Sequence, residues 1–212
     1  MDHWRRALTI CAAAQIAGMG QTDRLLALGV LDHRPAVLPG LYRTLLDEQE
    51  EILVRRPDGL QPAELAAARA GSALRERCER LAALAIPETI QHNDLHDRNV
   101  LVRDGDVCLA DWGTPRVAHP FQMLGQTLHT VAVRWGIGED DPALADLRET
   151  YLKPFGQMAP PTTLLAAARL AAPLGLLGGV LVAQAIVGDV GPDLGESLIR
   201  FEVEWLRRFL GT

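Results

Sequence analysis

Apolar positions recur with helical spacing along most of the chain. Between residues 3 and 17, Leu8, Cys11, Ala12 and Ile16 fall on one face, at the three- and four-residue intervals of an amphipathic helix. A shorter apolar run, Leu25 to Val30, ends in a turn near Asp32 and Pro35. A third helix is predicted from Pro39 or Leu41 to Ile52, with Leu41, Leu45 and Leu46 inward and Asp47, Glu48, Glu50 and Glu51 crowding its later turns. After the loop Arg56-Pro57-Asp58-Gly59, Pro62 opens a long helix rich in alanine and arginine that reaches about Leu84. Period-two alternation, the mark of a half-buried strand, is absent from this half.

One stretch reads as β-structure. Val100-Leu101-Val102 and Val107-Cys108-Leu109-Ala110 flank Arg103-Asp104-Gly105-Asp106. Asp-Gly between two short apolar runs is a strong hairpin signal, because the central residues of such a turn must accept positive φ. From Pro120 onward the pattern returns to helix, near Phe121–Trp135, Pro142–Phe155, Pro161–Val187 and Pro192–Leu210. The stretch from Leu170 to Val187 is uncharged and nearly long enough to span a bilayer. It holds Pro173, Gly178-Gly179 and Gln184, so it reads as a buried core helix kinked or interrupted at Pro173. Trp4-Arg5-Arg6 before an alanine-rich run resembles a twin-arginine leader, but Asp2 spoils its basic start and the helical period runs on through Ile16.

Composition narrows the picture. The chain is 48% hydrophobic and 23% charged, enough for a packed core, and its net charge is −6. That balance argues against a nucleic-acid partner, which selects a basic face. Cys11, Cys78 and Cys108 form no CxxC pair and read as small buried hydrophobes in a reducing compartment. A cytoplasmic protein with no membrane partner is expected. Lys153 is the only lysine; the other twenty cations are arginines.

With the turn at Asp104-Gly105, Arg103 faces Asp106, Val100 faces Leu109 and Asn99 faces Ala110. Asn99 and Asp111 then emerge side by side at the open end, and His92-Asn93-Asp94-Leu95-His96-Asp97-Arg98 feeds into the same end. Two carboxylates and an amide oxygen form a hard set that suits Mg²⁺ rather than zinc. His92 and His96 at i, i+4 lack the glutamate of a zinc-binding helix. His96-Asp97 is also the doublet of HD-type metal phosphohydrolases, but here it runs into a strand where that chemistry needs a helix.

His92-x-Asp94-Leu95-x-x-x-Asn99 followed by Asp111-Trp112-Gly113 is similar to the catalytic loop and metal-binding Asp-Phe-Gly of protein-kinase-like enzymes. The version His-x-Asp-Leu-His-x-x-Asn-Val-Leu-Val, then Asp-Trp-Gly and His-Pro, resembles the aminoglycoside phosphotransferase and choline-kinase branch. The resemblance implies a mainly α fold: a protein-kinase-like C-terminal lobe over residues 1–212, with the small hairpin at the catalytic and metal site. It implies that Asp94 accepts the proton of the attacking hydroxyl and that Asn99 and Asp111 hold Mg²⁺ against ATP. His92 would support the loop from beneath, His96 would serve a structural or substrate-edge role, and Trp112 and Gly113 complete the second motif. Asn93 stands where the family often has glycine, which asparagine's tolerance of left-handed backbone permits.

The N-terminal β lobe of such kinases is apparently absent. No glycine-rich loop lies between strands, no lysine precedes Lys153, and the nucleotide-binding residues on that side are therefore unknown. The expected function is transfer of the ATP γ-phosphate to a hydroxyl-bearing small molecule by a truncated form with little activity alone. A catalytically silent binding module is the alternative. The uncovered cleft invites a dimer or a partner chain. Gly138-Glu139-Asp140-Asp141 either favours a cationic substrate or simply caps the helix opened by Pro142.

Overall fold

A computed structural model describes residues 1–55, 58–187, 200 and 203–211. Helices dominate. Helix α1 (Asp2–Gly18) buries Trp4, Leu8, Cys11 and Ala12 on the predicted face. It is followed by α2 (Thr22–Ala27), strand β1 (Leu31–Asp32) and α3 (Leu38–Arg55). The helix predicted from Pro62 to Leu84 is two helices, α4 (Pro62–Ala70) and α5 (Ser72–Ala82). Gly71 divides them at φ 56, a backbone state that glycine takes without steric cost. At the other end of α4, the Gln61 side chain and Glu64 form a reciprocal cap, and Pro62 sits where a missing N–H does no harm.

The expectation of a first half without strands needs correction. β1 and β2 (Thr89–Gln91) join β5 (Arg116–Ala118) in a three-stranded sheet of order β1-β5-β2. β1 runs parallel and β2 antiparallel to β5, with Gln91 opposite Arg116 and Ile90 opposite Val117. These strands have two or three residues each, too few to display an alternating pattern, and β5 is buried at all three positions. Between β2 and β5 lies the hairpin of β3 (Val100–Arg103) and β4 (Asp106–Leu109), with Arg103 paired to Asp106 and Val100 to Leu109.

The second half is helical. A 3₁₀ turn over Pro120–Gln122 leads into α6 (Met123–Trp135), and α7 (Pro142–Leu152) ends in a 3₁₀ turn over Lys153–Gln157. α8 (Pro161–Val187) continues through Pro173 without interruption. Proline there supplies no N–H to the carbonyl four residues earlier, that of Arg169. The Arg77 Nη1 reaches that carbonyl at 3.5 Å. Its long apolar sequence could cross a membrane by length and composition alone, but 61% of the most apolar window is buried inside the fold. α8 packs against α6, α5, α3 and the 120–122 turn, as the core helix of this protein. Residues 203–210 are also helical; the earlier part of the helix predicted from Pro192 falls largely outside the described residues.

The core joins α1, α7 and the 120–122 turn through aromatic contacts. Phe121 meets Phe155 edge-on at 4.9 Å and Tyr151 at 5.8 Å between ring centroids. The Tyr151 hydroxyl donates to the Pro120 carbonyl at 2.6 Å and also contacts Gln15, so the one polar atom in the cluster is satisfied. Cys11 and Cys78 are buried, as expected, but Cys108 is exposed on the hairpin, where side chains of one face point to solvent.

Candidate functional site

Residues 92–115 form one closed excursion. The chain leaves the small sheet after Gln91 and re-enters at Arg116, its direct partner across the strands. Both ends are tied: Gln91 Nε2 donates to the His119 carbonyl at 2.9 Å, and Thr89 Oγ1 donates to the Gln15 carbonyl at 2.6 Å. Everything between is thereby confined to one end of the sheet.

The excursion opens with a tight turn. The Asp94 N–H donates to the His92 carbonyl at 2.8 Å, and Asn93 between them sits at φ 63. An i→i+2 bond with a left-handed central residue is a rare and strained turn, and asparagine tolerates it better than most side chains. It throws the Asp94 side chain outward, where it is 45% exposed. One Asp94 oxygen, Oδ2, lies 3.3 Å from His96 Nε2. The other, Oδ1, accepts from Gln126 Nε2 at 3.5 Å.

His96 is oriented from behind. Its Nδ1 accepts the Arg98 N–H at 3.2 Å, capping the 3₁₀ turn over Asp97–Asn99. A nitrogen that accepts carries no proton, so the neutral ring is protonated at Nε2, the atom that lies beside Asp94 Oδ2. Asn99 is anchored likewise: its Nδ2 donates to the Asp94 backbone carbonyl at 2.8 Å. With the amide nitrogen engaged, the amide oxygen remains for an outside partner. The Ala110 N–H donates to the Asn99 carbonyl at 2.9 Å, extending the hairpin ladder by one pair. Asp111 therefore follows directly beside Asn99, in a left-handed conformation at φ 60. It is exposed, and its carboxylate makes no hydrogen bond among the described residues. Gly113 leaves it room, since a Cβ there would stand 3.2 Å from Asp111 Oδ1.

His92 lies under this arrangement, fully buried. Its Nε2 donates to the Ala110 carbonyl at 2.7 Å and its ring packs on Trp112 at 4.5 Å. Burial pushes the imidazole below its ordinary pKa, against an upward pull from the Ala110 carbonyl and from the carboxylates of Asp94 and Asp111. Both acids thus act on one buried ring.

Among the described residues, no three His, Cys, Asp or Glu side chains gather as a metal-holding group. A cation here would be held by the Asn99 amide oxygen and the Asp111 carboxylate. That all-oxygen pair fits Mg²⁺, which keeps several waters and needs few protein ligands.

Other site features were invisible in the sequence. Gln126 reaches Asp94 from α6; nothing in the sequence sets it apart from the other polar residues of that helix, Thr127, His129, Thr130 and Arg134. Arg134 meets Asp97 at 3.2 Å from the end of the same helix. Arg116 is fully buried, and its three guanidinium nitrogens have no hydrogen-bond partner among the described residues; burial pulls its pKa down to about 9. Two of the three acids of the 138–141 loop are engaged structurally. Asp141 accepts the Ala143 N–H at 2.8 Å at the start of α7, and Glu139 pairs with Arg208.

Comparison with known proteins agrees with this architecture. A solved macrolide 2'-phosphotransferase type I is similar in fold, with a TM-score of 0.54 at 16% identity, over 92% of this chain and 56% of that one. The chain thus spans little more than half of that relative's length. A spectinomycin phosphotransferase, solved with ADP and spectinomycin, matches at 13% identity with a TM-score of 0.40, over 97% of this chain and 60% of that one. None of the curated proteins matches. The profile of the phosphotransferase enzyme family matches residues 12–161, from the middle of α1 to the start of α8 and across the whole of the 92–115 excursion. On that match, the chain belongs to the phosphotransferase enzyme family.

Proposed function

We propose that this chain carries the acceptor-activating and metal-holding half of a small-molecule phosphotransferase, which moves the γ-phosphate of ATP to a hydroxyl. The observation that supports it most is the shared anchoring of Asp94 and Asn99. One hydrogen bond, from Asn99 Nδ2 to the Asp94 carbonyl, joins the proposed base to a proposed metal ligand and leaves the amide oxygen free.

In this reading Asp94 receives the proton of the attacking hydroxyl as its oxygen bonds to the γ-phosphorus and ADP departs. Gln126 and Asn99 donate to the two carboxylate oxygens, with His96 packed beside one of them, so that the base is aimed before substrate arrives. Asn99 and Asp111 hold Mg²⁺, whose chemistry is neutralisation of charge on the phosphate oxygens. His92 keeps the turn and the Asp-Trp-Gly segment together through the Ala110 carbonyl. The acceptor is a hydroxyl-bearing small molecule. The half-exposed Asp94 carboxylate, the group that would face the acceptor, favours one carrying positive charge.

Residues 1–212 correspond, on this reading, to the helical lobe and lack the strand-borne lysine and phosphate-covering loop. Lys153, the only lysine, lies in the 3₁₀ turn after α7. Turnover of the 212-residue chain alone is therefore expected well below the roughly 1–100 s⁻¹ of ordinary kinases. The second reading is a module that binds without transferring phosphate.

Calorimetric titration with Mg-ADP separates the possibilities. Asp111→Asn preserves tolerance for the left-handed backbone while removing the charge, and it should weaken binding at least tenfold. Asp94→Asn should leave Mg-ADP affinity within about twofold and abolish any phosphate transfer. Any transfer that depends on Asp94, however slow, excludes the silent module. Binding that ignores Asp111 removes the proposed metal seat.

A further inference from the structure

A second cavity lies away from Asp94, Asn99 and Asp111, none of which lines it. It is enclosed by α5, α6, α7, α8 and the 203–211 segment, and its volume is about 620 Å³, the size of an ordinary ligand pocket. The floor is apolar, formed by Leu124 and Leu128 of α6, Leu144 of α7, Leu176 of α8 and Phe209.

The walls carry a concentration of positive charge that the chain as a whole does not. Arg77, Arg148, Arg169 and Arg208 line the cavity against a single acid, Glu139, in a protein of net charge −6. Glu139 is already paired with Arg208. The other three have no carboxylate partner among the described residues. Among the described residues, Arg148 Nε is buried from solvent without a hydrogen-bond partner, and the Arg77 guanidinium reaches the carbonyl of Arg169 alone, at 3.5 Å.

A guanidinium nitrogen buried without an acceptor, as Arg148 Nε is, is costly, and an anion seated among the arginines offsets that cost and adds charge-assisted hydrogen bonds to the solvent-facing ones. Cations above an apolar floor select a ligand with both characters. We propose that this cavity binds an amphipathic organic anion, with its carboxylate or phosphate head among Arg77, Arg148 and Arg169 and its apolar body on the leucine floor. The site is separate from the proposed phosphate-transfer centre and does not depend on that reading.

Calorimetry on the full chain with decanoate, decyl phosphate, decan-1-ol and inorganic phosphate tests this directly. Decanoate and decyl phosphate should bind with one site per chain, at least tenfold more tightly than decan-1-ol or inorganic phosphate. Whichever of the two anions binds more tightly identifies the head group. Arg148→Gln and, separately, the exposed Arg169→Gln should each weaken the anions about fivefold or more while leaving decan-1-ol unchanged. Arg169→Gln keeps the test valid if Arg148→Gln fails to fold. Equal affinity for decanoate and decan-1-ol overturns the proposal, as does binding indifferent to both arginines. So does phosphate binding as tightly as decyl phosphate.

Discussion

Two buried histidines set how this protein meets acid. His33 and His119 are each nearly inaccessible, and each is pushed down to a pKa of about 3 from an ordinary 6.5. Burial is the main cause for both, and for His33 the neighbouring Arg116 guanidinium adds to it. His119 Nδ1 must stay unprotonated to accept the Phe121 N–H at the start of the 120–122 turn. Between pH 6.5 and about 3 the unfolded chain therefore binds protons that the folded chain refuses. Stability rises with pH through this window and falls on acidification, by up to about 1.4 kcal/mol per histidine for each pH unit. Urea midpoints at pH 7, 6 and 5 should decline accordingly, and His119→Asn, which keeps an accepting cap, should flatten the decline. An unchanged slope in that variant would mean that His119 is not held neutral. The same scale shows why Asn93, Asp104 and Asp111 are Asn or Asp: all three have positive φ, and their short polar side chains bear it at less cost than others. The Asp104-Gly105 turn was legible for that reason, whereas the burial of Arg116 was not, since nothing adjacent in sequence announces it.

At the level of elements, close helix approach depends on missing side chains. A Cβ on Gly175 of α8 would stand 1.8 Å from the Gln122 carbonyl oxygen, and one on Gly125 of α6 would stand 2.4 Å from the Ala172 carbonyl. Both obstacles are backbone, which cannot rotate away. Gly175→Ala should therefore cost about 3 kcal/mol or more, at the upper end of overpacking penalties. Gly40 in α3 is exposed with nothing within 4 Å, so Gly40→Ala should instead stabilise by about 0.5–1 kcal/mol through helix propensity. Chemical denaturation of the two variants reads opposite signs; a mild effect at Gly175 would mean that α8 can slide. Helix positions follow from apolar spacing and caps, which are local. The break at Gly71 was not expected, and the interruption offered as one alternative at Pro173 does not occur. Gly71 sits in the left-handed state between α4 and α5, and the Arg169 carbonyl left free by Pro173 is reached by Arg77 of α5.

For the molecule as a whole, the excursion from Gln91 to Arg116 links stability to ligand. If Asn99 and Asp111 seat Mg-ADP in the folded state alone, nucleotide at a hundred times its dissociation constant should add about 2.7 kcal/mol of stability. Thermal melts with and without Mg-ADP should show that gain, and EDTA or Asp111→Asn should erase it. A gain that survives EDTA would place the nucleotide elsewhere. Short-range chemistry was enough to read most helices and the Asp-Gly hairpin, because caps, turns and helical periodicity act over a few neighbours in the chain. The β1-β5-β2 sheet joins residues up to 85 positions apart through strands of two or three residues. Gln126 and Arg116 likewise gain their meaning from partners on other elements. Those features exist only once the chain has closed on itself, because burial and long-range hydrogen bonding, unlike turn preference, are properties of the packed whole.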